Sequence, residues 1–317
     1  MSSDREREVQ EVQHLFARER LAIDDMQPGR TCFLSHVGAQ PKLVAGPWIA
    51  HRDLLYALAL ANLSPVQRTS LARAVLVEHG HEFGVGRLLL EARASGLPLG
   101  GSSVRLRHRR GGVTCLYTWA LGPKPQPAPC DWLLLRAQPE WALDAPPRTL
   151  AAGGLSTLAE LGGEVLVLVS TAVAAVQVAQ ACSGRVELAA HPRFSPYIEG
   201  LNPDAPVLLW PHDALDGAGL RRRELAAIAL VGAPEWVRQE LGGRLDRMPR
   251  GEHVELVDLG CPGRASREQL AAFWEACGRP RILLSGDPTW VAVGAAWLAS
   301  LKAEVVVQAE ATQLDLL

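Results

Sequence analysis

The sequence predicts an α/β protein in two parts. A mainly helical N-terminal unit ends in a basic two-stranded ribbon, and a C-terminal unit is built on a parallel sheet. Three observations lead there. Apolar residues recur at helical spacing between His51 and Ser95. Strict alternation then takes over on either side of Gly111-Gly112. Beyond Gly154, short apolar runs alternate with amphipathic stretches, the pattern of a parallel sheet covered on both faces.

At 317 residues and 34.2 kDa the chain has material for two domains or one large one. Its 48% hydrophobic and 21% charged content is that of a globular protein and excludes disordered and fibrous classes. The net charge of −2 says nothing about partners, so only the distribution of charge is informative.

Residues 1–22 are highly charged, with apolar positions at Val9, Val12, Leu15, Phe16 and Leu21 that suit a short amphipathic helix. From Gln27 to Trp48, glycine and proline interrupt short apolar pieces, as in loops or a small hairpin. His51–Leu63 reads as one helix. Ser64-Pro65, an N-cap followed by proline in the first helical position, opens a second through Glu78. Glu82–Ser95 reads as a third, stopped by Gly96 and Pro98. In the ribbon that follows, Ser103–Arg110 and Val113–Trp119, Val104 and Leu106 share a face opposite Arg105, Arg107 and Arg109, and Val113, Cys115, Tyr117 and Trp119 supply the matching apolar side. Three helices and then a ribbon is the order of a winged-helix domain, so residues 1–122 are expected to be winged-helix-like.

Seven prolines between Leu121 and Pro147 exclude a regular helix or central strand and suggest a linker over 123–153, with Trp132–Leu135 as a short packed insert. Candidate strands follow at Glu164–Ser170, Arg185–Ala189, Ala205–Trp210, Ala226–Val231, His253–Asp258, Arg281–Ser285 and Ala303–Gln308. Helices fit at Thr171–Cys182, Pro234–Arg247, Ser266–Cys277 and Trp290–Leu301. Residues 154–310 are therefore expected to form one Rossmann-like or RecA-like domain, with 311–317 as a tail. The twenty uncharged residues Val165–Gly184 have the length of a membrane span, but their β-branched start and alanine-rich end fit a buried strand running into a helix.

Several chemistries are excluded. Lysine occurs only at Lys42, Lys124 and Lys302, none after a glycine, and there is no Asp-Glu dipeptide, so a Walker-type ATPase loop is absent. No Gly-x-Ser-x-Gly elbow exists. The six cysteines show no C-x₂₋₄-C spacing and are expected to be reduced thiols of a cytoplasmic protein without a metal centre. His79-Gly-His81 is read as a helix C-terminus, and no cofactor is assigned. What remains is electrostatic. Between Ser64 and Trp119 eight arginines stand against three acids, and Arg105, Arg107, Arg109 and Arg110 are the candidate contacts to DNA phosphates.

The residues Gln313-Leu314-Asp315-Leu316-Leu317 resemble the bacterial sliding-clamp-binding peptide. The resemblance implies that the Gln313 amide bonds at the rim of a clamp pocket while Leu314, Leu316 and Leu317 fill it, Asp315 being the variable polar position. Residues 164–240 are similar to a superfamily-2 helicase RecA-like domain, through Val165–Val169 followed by Ser170-Thr171, the segment Ala205–Asp216, and the strand Ala226–Pro234; Leu283–Pro288 resembles a later strand end of the same family. Without its Walker residues that resemblance implies a fold retained without hydrolysis. Val257-Asp-Leu-Gly-Cys-Pro-Gly263 resembles the glycine-rich first motif of S-adenosylmethionine methyltransferases, with one glycine replaced by proline. The sequence thus points to a non-catalytic DNA-binding accessory factor of replication, repair or mobile-element maintenance, with DNA and the sliding clamp as partners and no membrane contact. The alternative is an enzyme or sensor with a nucleotide- or S-adenosylmethionine-binding α/β domain.

Overall fold

The computed structural model describes residues 19–24, 29–36, 46–60, 63–137, 163–169, 171–214, 225–231, 239, 241–243, 254–258, 265–286 and 288–307. The chain divides into two compact units, Met1–Asp144 with Arg264–Leu317, and Ala145–Gly263. No helix among the described residues is long and apolar enough to cross a membrane.

The first unit opens with β1 (Leu21–Ile23), β2 (Thr31–Leu34), β3 (Trp48–His51), helices α1 (Arg52–Leu60) and α2 (Pro65–Ala72), and β4 (Val75–Val77). The four strands form a parallel sheet in the order β1-β2-β3-β4. Thr31–Leu34 therefore pairs in parallel rather than in a hairpin, and Leu21, expected at the end of a helix, begins a strand. Alternation sorts the side chains. Leu21, Ile23, Phe33, Ile49 and Val77 enter one core, while Cys32, Leu34, Trp48 and Ala50 pack against Leu54, Leu55 and Leu58 of α1. Helix α2 starts as its sequence dictates: the Gln67 N–H donates to Ser64 Oγ, the Ser64 N–H donates to Gln67 Oε1, and Pro65 fills the first helical position.

Next come β5 (Glu82–Val85), β6 (Leu88–Ala94), β7 (Ser102–His108), β8 (Thr114–Thr118) and β9 (Trp132–Arg136). Glu82–Ser95 is thus two strands, not a third helix, and the three-helix order of a winged helix is not present among the described residues. Gly86, at φ 56°, makes the turn between β5 and β6, and Leu88, Leu90 and Ala92 alternate inward. The ribbon is as expected: β7 and β8 pair antiparallel, and Gly111 and Gly112 take the positive φ values that the connection needs.

The second unit holds β10 (Glu164–Val169), α3 (Ala172–Cys182), β11 (Leu188–Ala190), β12 (Val207–Pro211), β13 (Leu225–Val231) and β14 (Glu255–Asp258). Its strands are all parallel, in the order β11-β12-β10-β13-β14. Thr171 caps α3 by accepting from the Ala174 N–H. The apolar run from Val165 is therefore a buried strand and a helix, and the expected helix Pro234–Arg247 falls largely outside the described residues.

The chain then returns to the first unit through α4 (Arg267–Ala276), β15 (Arg281–Ser285), α5 (Pro288–Ser300) and β16 (Val305–Val307). β15 pairs in parallel with β9, completing a seven-stranded sheet in the order β16-β15-β9-β8-β7-β6-β5. The expected boundaries at 122 and 154 do not hold. The first unit keeps the segment through β9 and regains everything from Arg264, so the parallel domain is an insertion. Within the first unit the two sheets bury a common core, where Leu88, Leu90, Val104, Leu106, Tyr117, Trp132, Leu134 and Leu283 meet the inward residues of β1–β4. The outer side of β8, β9 and β15 is covered by Leu270, Phe273 and Trp274 of α4 and by Val291 and Leu298 of α5. The layers run helices, sheet, sheet, helices. Each large apolar side chain buried this way contributes roughly 1.5–3 kcal/mol.

Candidate functional site

The arginine face lies on β6 and β7, at the end of the large sheet away from α4 and α5. Register places Arg105 opposite Glu91 and Arg93 opposite Ser103. Arg107 reaches Glu82 of β5 with Nη2–Oε2 at 2.8 Å and Nε–Oε2 at 3.2 Å. Arg93 donates to Glu91 Oε1 at 2.7 Å, and Arg105 Nη1 lies 3.5 Å from Glu91 Oε2. The face is also covered. Arg93 Nη1 donates to the Pro127 carbonyl at 3.0 Å, and Arg105 Nε donates to the Pro129 carbonyl at 3.1 Å. Proline offers an acceptor and no N–H, so this strap is held by donors from below and by Gln126, whose N–H donates to the Ala94 carbonyl at 2.8 Å and whose Oε1 accepts from the Ala94 N–H at 3.2 Å. At its start Gly122 lies so close to Gly96 that a β-carbon would overlap the Gly96 carbonyl.

Arg105 and Arg107 therefore brace the sheet and its strap. Arg109 and Arg110 differ: both are exposed at the ribbon turn. The Arg109 guanidinium lies over Gly84, where any β-carbon would collide with it, and neither arginine makes an ion pair among the described residues. Gln313, Leu314, Leu316 and Leu317 lie outside the described residues.

A second polar cluster gathers where β1, β2, β3 and β8 end, the edge at which parallel α/β sheets place ligands. Asp24 follows β1 at φ 56° and is buried. It accepts from the Ser35 N–H at 2.7 Å and from the Ser35 hydroxyl at 2.5 Å, with Tyr117 Oη 3.5 Å away. Its proton committed to Asp24, Ser35 Oγ lies 2.9 Å from His36 Nδ1 as an acceptor. His36 packs on Trp119 at 5.5 Å, and the Arg136 guanidinium sits 3.9 Å from the Trp119 ring centre. The Ser102 N–H donates to the Ser35 carbonyl at 2.7 Å and links this group to another. There the Ser102 hydroxyl donates to the Gly100 carbonyl and its Oγ lies 2.9 Å from His79 Nε2. His79 stacks on His51 at 4.0 Å, and His51 Nε2 lies 3.5 Å from Glu78 Oε2. His79-Gly-His81 is thus not a helix terminus; it follows β4, and His79 turns into this network.

The electrostatics follow from burial. Loss of water raises the Asp24 carboxyl to about 6, with the Ser35 and Tyr117 bonds opposing the shift. Burial, and after it the neighbouring His51, lowers His79 to about 4. Burial and the Asp24 carboxylate push the Tyr117 hydroxyl well above its ordinary range. Carboxyl, hydroxyl and imidazole groups thus satisfy one another at this edge. Among the described residues no group of three or more His, Cys, Asp or Glu side chains is arranged to hold a metal ion. Nothing in the motifs of the sequence marks Asp24, Ser35 or His36. The available signal is positional, since Asp24 directly follows the buried β1 and Ser35-His36 follows the largely buried β2.

No family model and no curated protein sequence matches the chain. Among solved structures, a protein of unknown function from Enterococcus faecalis V583 superposes with a TM-score of 0.55 at 14% identity, over 89% of this chain and 80% of that one. The likeness is one of fold.

Proposed function

We propose that this protein is a non-catalytic DNA-binding accessory factor of replication, repair or mobile-element maintenance, held to the sliding clamp by Gln313-Leu314-Asp315-Leu316-Leu317. The pentapeptide is the observation that carries the reading: an amide for the pocket rim and leucines at the spacing that fills the pocket, starting six residues beyond the end of β16 at Val307. The exposed Arg109 and Arg110 are suited to phosphates, whereas Arg105 and Arg107 are spent on Glu91, Glu82 and Pro129. Two exposed arginines bind DNA weakly on their own. A tether relieves that, because a linked second contact works at an effective concentration near millimolar for short flexible linkers.

Surface plasmon resonance on an immobilised bacterial sliding clamp tests this. The intact chain should bind and a chain lacking Gln313–Leu317 should not; equal binding by both removes the reading. A second reading, a nucleotide or S-adenosylmethionine sensor, draws on the parallel sheet of the second unit, whose central β10 lies between β12 and β13, a topological switch point. A rise in melting temperature of several degrees with ATP or S-adenosylmethionine would favour it over the adaptor.

A further inference from the structure

Cys130 and Cys277 stand apart from the other thiols, and neither the arginine face nor the Asp24 network uses them. Cys130 ends the strap that covers the arginine face, just before β9. Cys277 is the C-cap residue of α4. They are brought together by the backbone: the Cys130 N–H donates to the Cys277 carbonyl at 3.3 Å. Two residues joined in this way have their Cα atoms within the 4.4–6.8 Å or so that a disulfide spans. The side chains complete the approach, since Cys130 packs against the cluster of buried residues that contains Cys277 and each thiol is the foremost influence on the other's ionisation. Cys130 is partly exposed, whereas Cys277 is buried. Both are free thiols here.

We propose that Cys130 and Cys277 are a redox-active pair that closes to a disulfide on exposure to a small hydroperoxide, fastening the proline strap to α4. Exposure sets the roles of the two sulfurs: Cys130 is partly exposed and Cys277 has no exposed surface, so a hydroperoxide reaches Cys130. Each thiol is the strongest influence on the other's ionisation, lowering Cys277 and raising Cys130, so that loss of one proton leaves a thiolate shared by the pair. The Cys130 sulfur of the deprotonated pair attacks the peroxide O–O bond, an S–O bond forms, the O–O bond breaks, and the departing alkoxide takes a proton from solvent to leave as the alcohol. The Cys277 sulfur then attacks the sulfenic sulfur, the S–S bond forms, the S–O bond breaks, and water leaves with the Cys277 proton. Two thiols are oxidised, one peroxide is reduced, and a dithiol restores the starting state. The cross-link acts on the strap itself: Arg93 and Arg105 then lie beneath a segment anchored covalently at its far end.

Peptide mapping of the full-length protein tests the proposal. After treatment with tert-butyl hydroperoxide and quenching with iodoacetamide, the intact mass should fall by about 2 Da per chain before alkylation, two fewer cysteines should take up the label than in the reduced protein, and a peptide pair should join Cys130 to Cys277. Dithiothreitol should reverse all three. Cys130→Ser and Cys277→Ser should abolish the cross-linked pair, and Cys182→Ser should leave it unchanged. The wild-type map stands even if a variant fails to fold. Oxygen added to Cys130 alone, a cross-link to Cys115 instead, or unaltered thiols would each overturn the assignment.

Discussion

Asp24→Asn should make the protein more stable at neutral pH, and the gain should vanish in acid. In the native state burial raises the Asp24 carboxyl from 3.8 to about 6. The native state therefore holds this proton more tightly than the unfolded chain. The stability linked to it is fully present below about pH 3.8 and is lost as pH rises through about 6. Two pK units correspond to about 3 kcal/mol. Asparagine has nearly the same shape. It keeps an acceptor for the Ser35 N–H, reverses the bond to the Ser35 hydroxyl and carries no charge to bury. Whatever constant offset the exchange brings, the difference in unfolding free energy between variant and wild type should grow by about 2.4 kcal/mol between pH 4 and pH 7.5. Urea titrations of both proteins, followed by tryptophan fluorescence across that range, read it directly. Parallel stability curves would show that Asp24 is ionised without cost, and the description of a closed, dry network would be wrong.

The neighbouring imidazole should act in the opposite sense. His79 is lowered from 6.5 to about 4, so native stability should fall as pH drops from 6.5 towards 4, and His79→Gln should flatten that loss in the same titrations, by an amount reduced by the partial exposure of the ring. Gly122→Ala should cost about 1–3 kcal/mol in thermal melts, because its new methyl meets the backbone of Gly96 and Leu97, whereas Gly242→Ala, with open space around it, should cost nothing. Arg105→Ala should destabilise by about 1–2 kcal/mol through loss of the Pro129 and Glu91 contacts. Replacing Arg109 and Arg110 by alanine should leave melting unchanged but weaken duplex DNA binding and lower its salt slope by about two, as fluorescence anisotropy at several salt concentrations would show.

Local chemistry made some of this fold legible. The Ser64 N-cap with Pro65 and the glycine pair at 111–112 each act within a few residues and are found where the sequence places them, and the helices expected at Thr171–Cys182 and Ser266–Cys277 form, capped by Thr171 and Ser266. Glu82–Ser95 misleads because Leu88-Leu-Leu-Glu-Ala-Arg-Ala94 is rich in helix formers. The pairing of β6 with β5 and β7 outweighs that preference. Pairing across long distances leaves no local trace, so the return of β15 to β9, which moves the last two helices into the first unit, was not readable. The arginine stripe was visible as alternation. That Arg93 and Arg105 would donate to Pro127 and Pro129 was not, since a carbonyl acceptor carries no sequence signature. Asp24 and Ser35 were equally silent, lying eleven residues apart and joined only because β1 and β2 run side by side.

The adaptor reading meets its most direct test in a competition experiment. The peptide Gln313–Leu317, added in excess to the full-length protein captured on a sliding clamp, should displace it completely, and the variant with Gln313, Leu316 and Leu317 replaced by alanine should not be captured at all. Capture that survives both the competitor and the substitutions would mean that the protein does not use this peptide to reach the clamp.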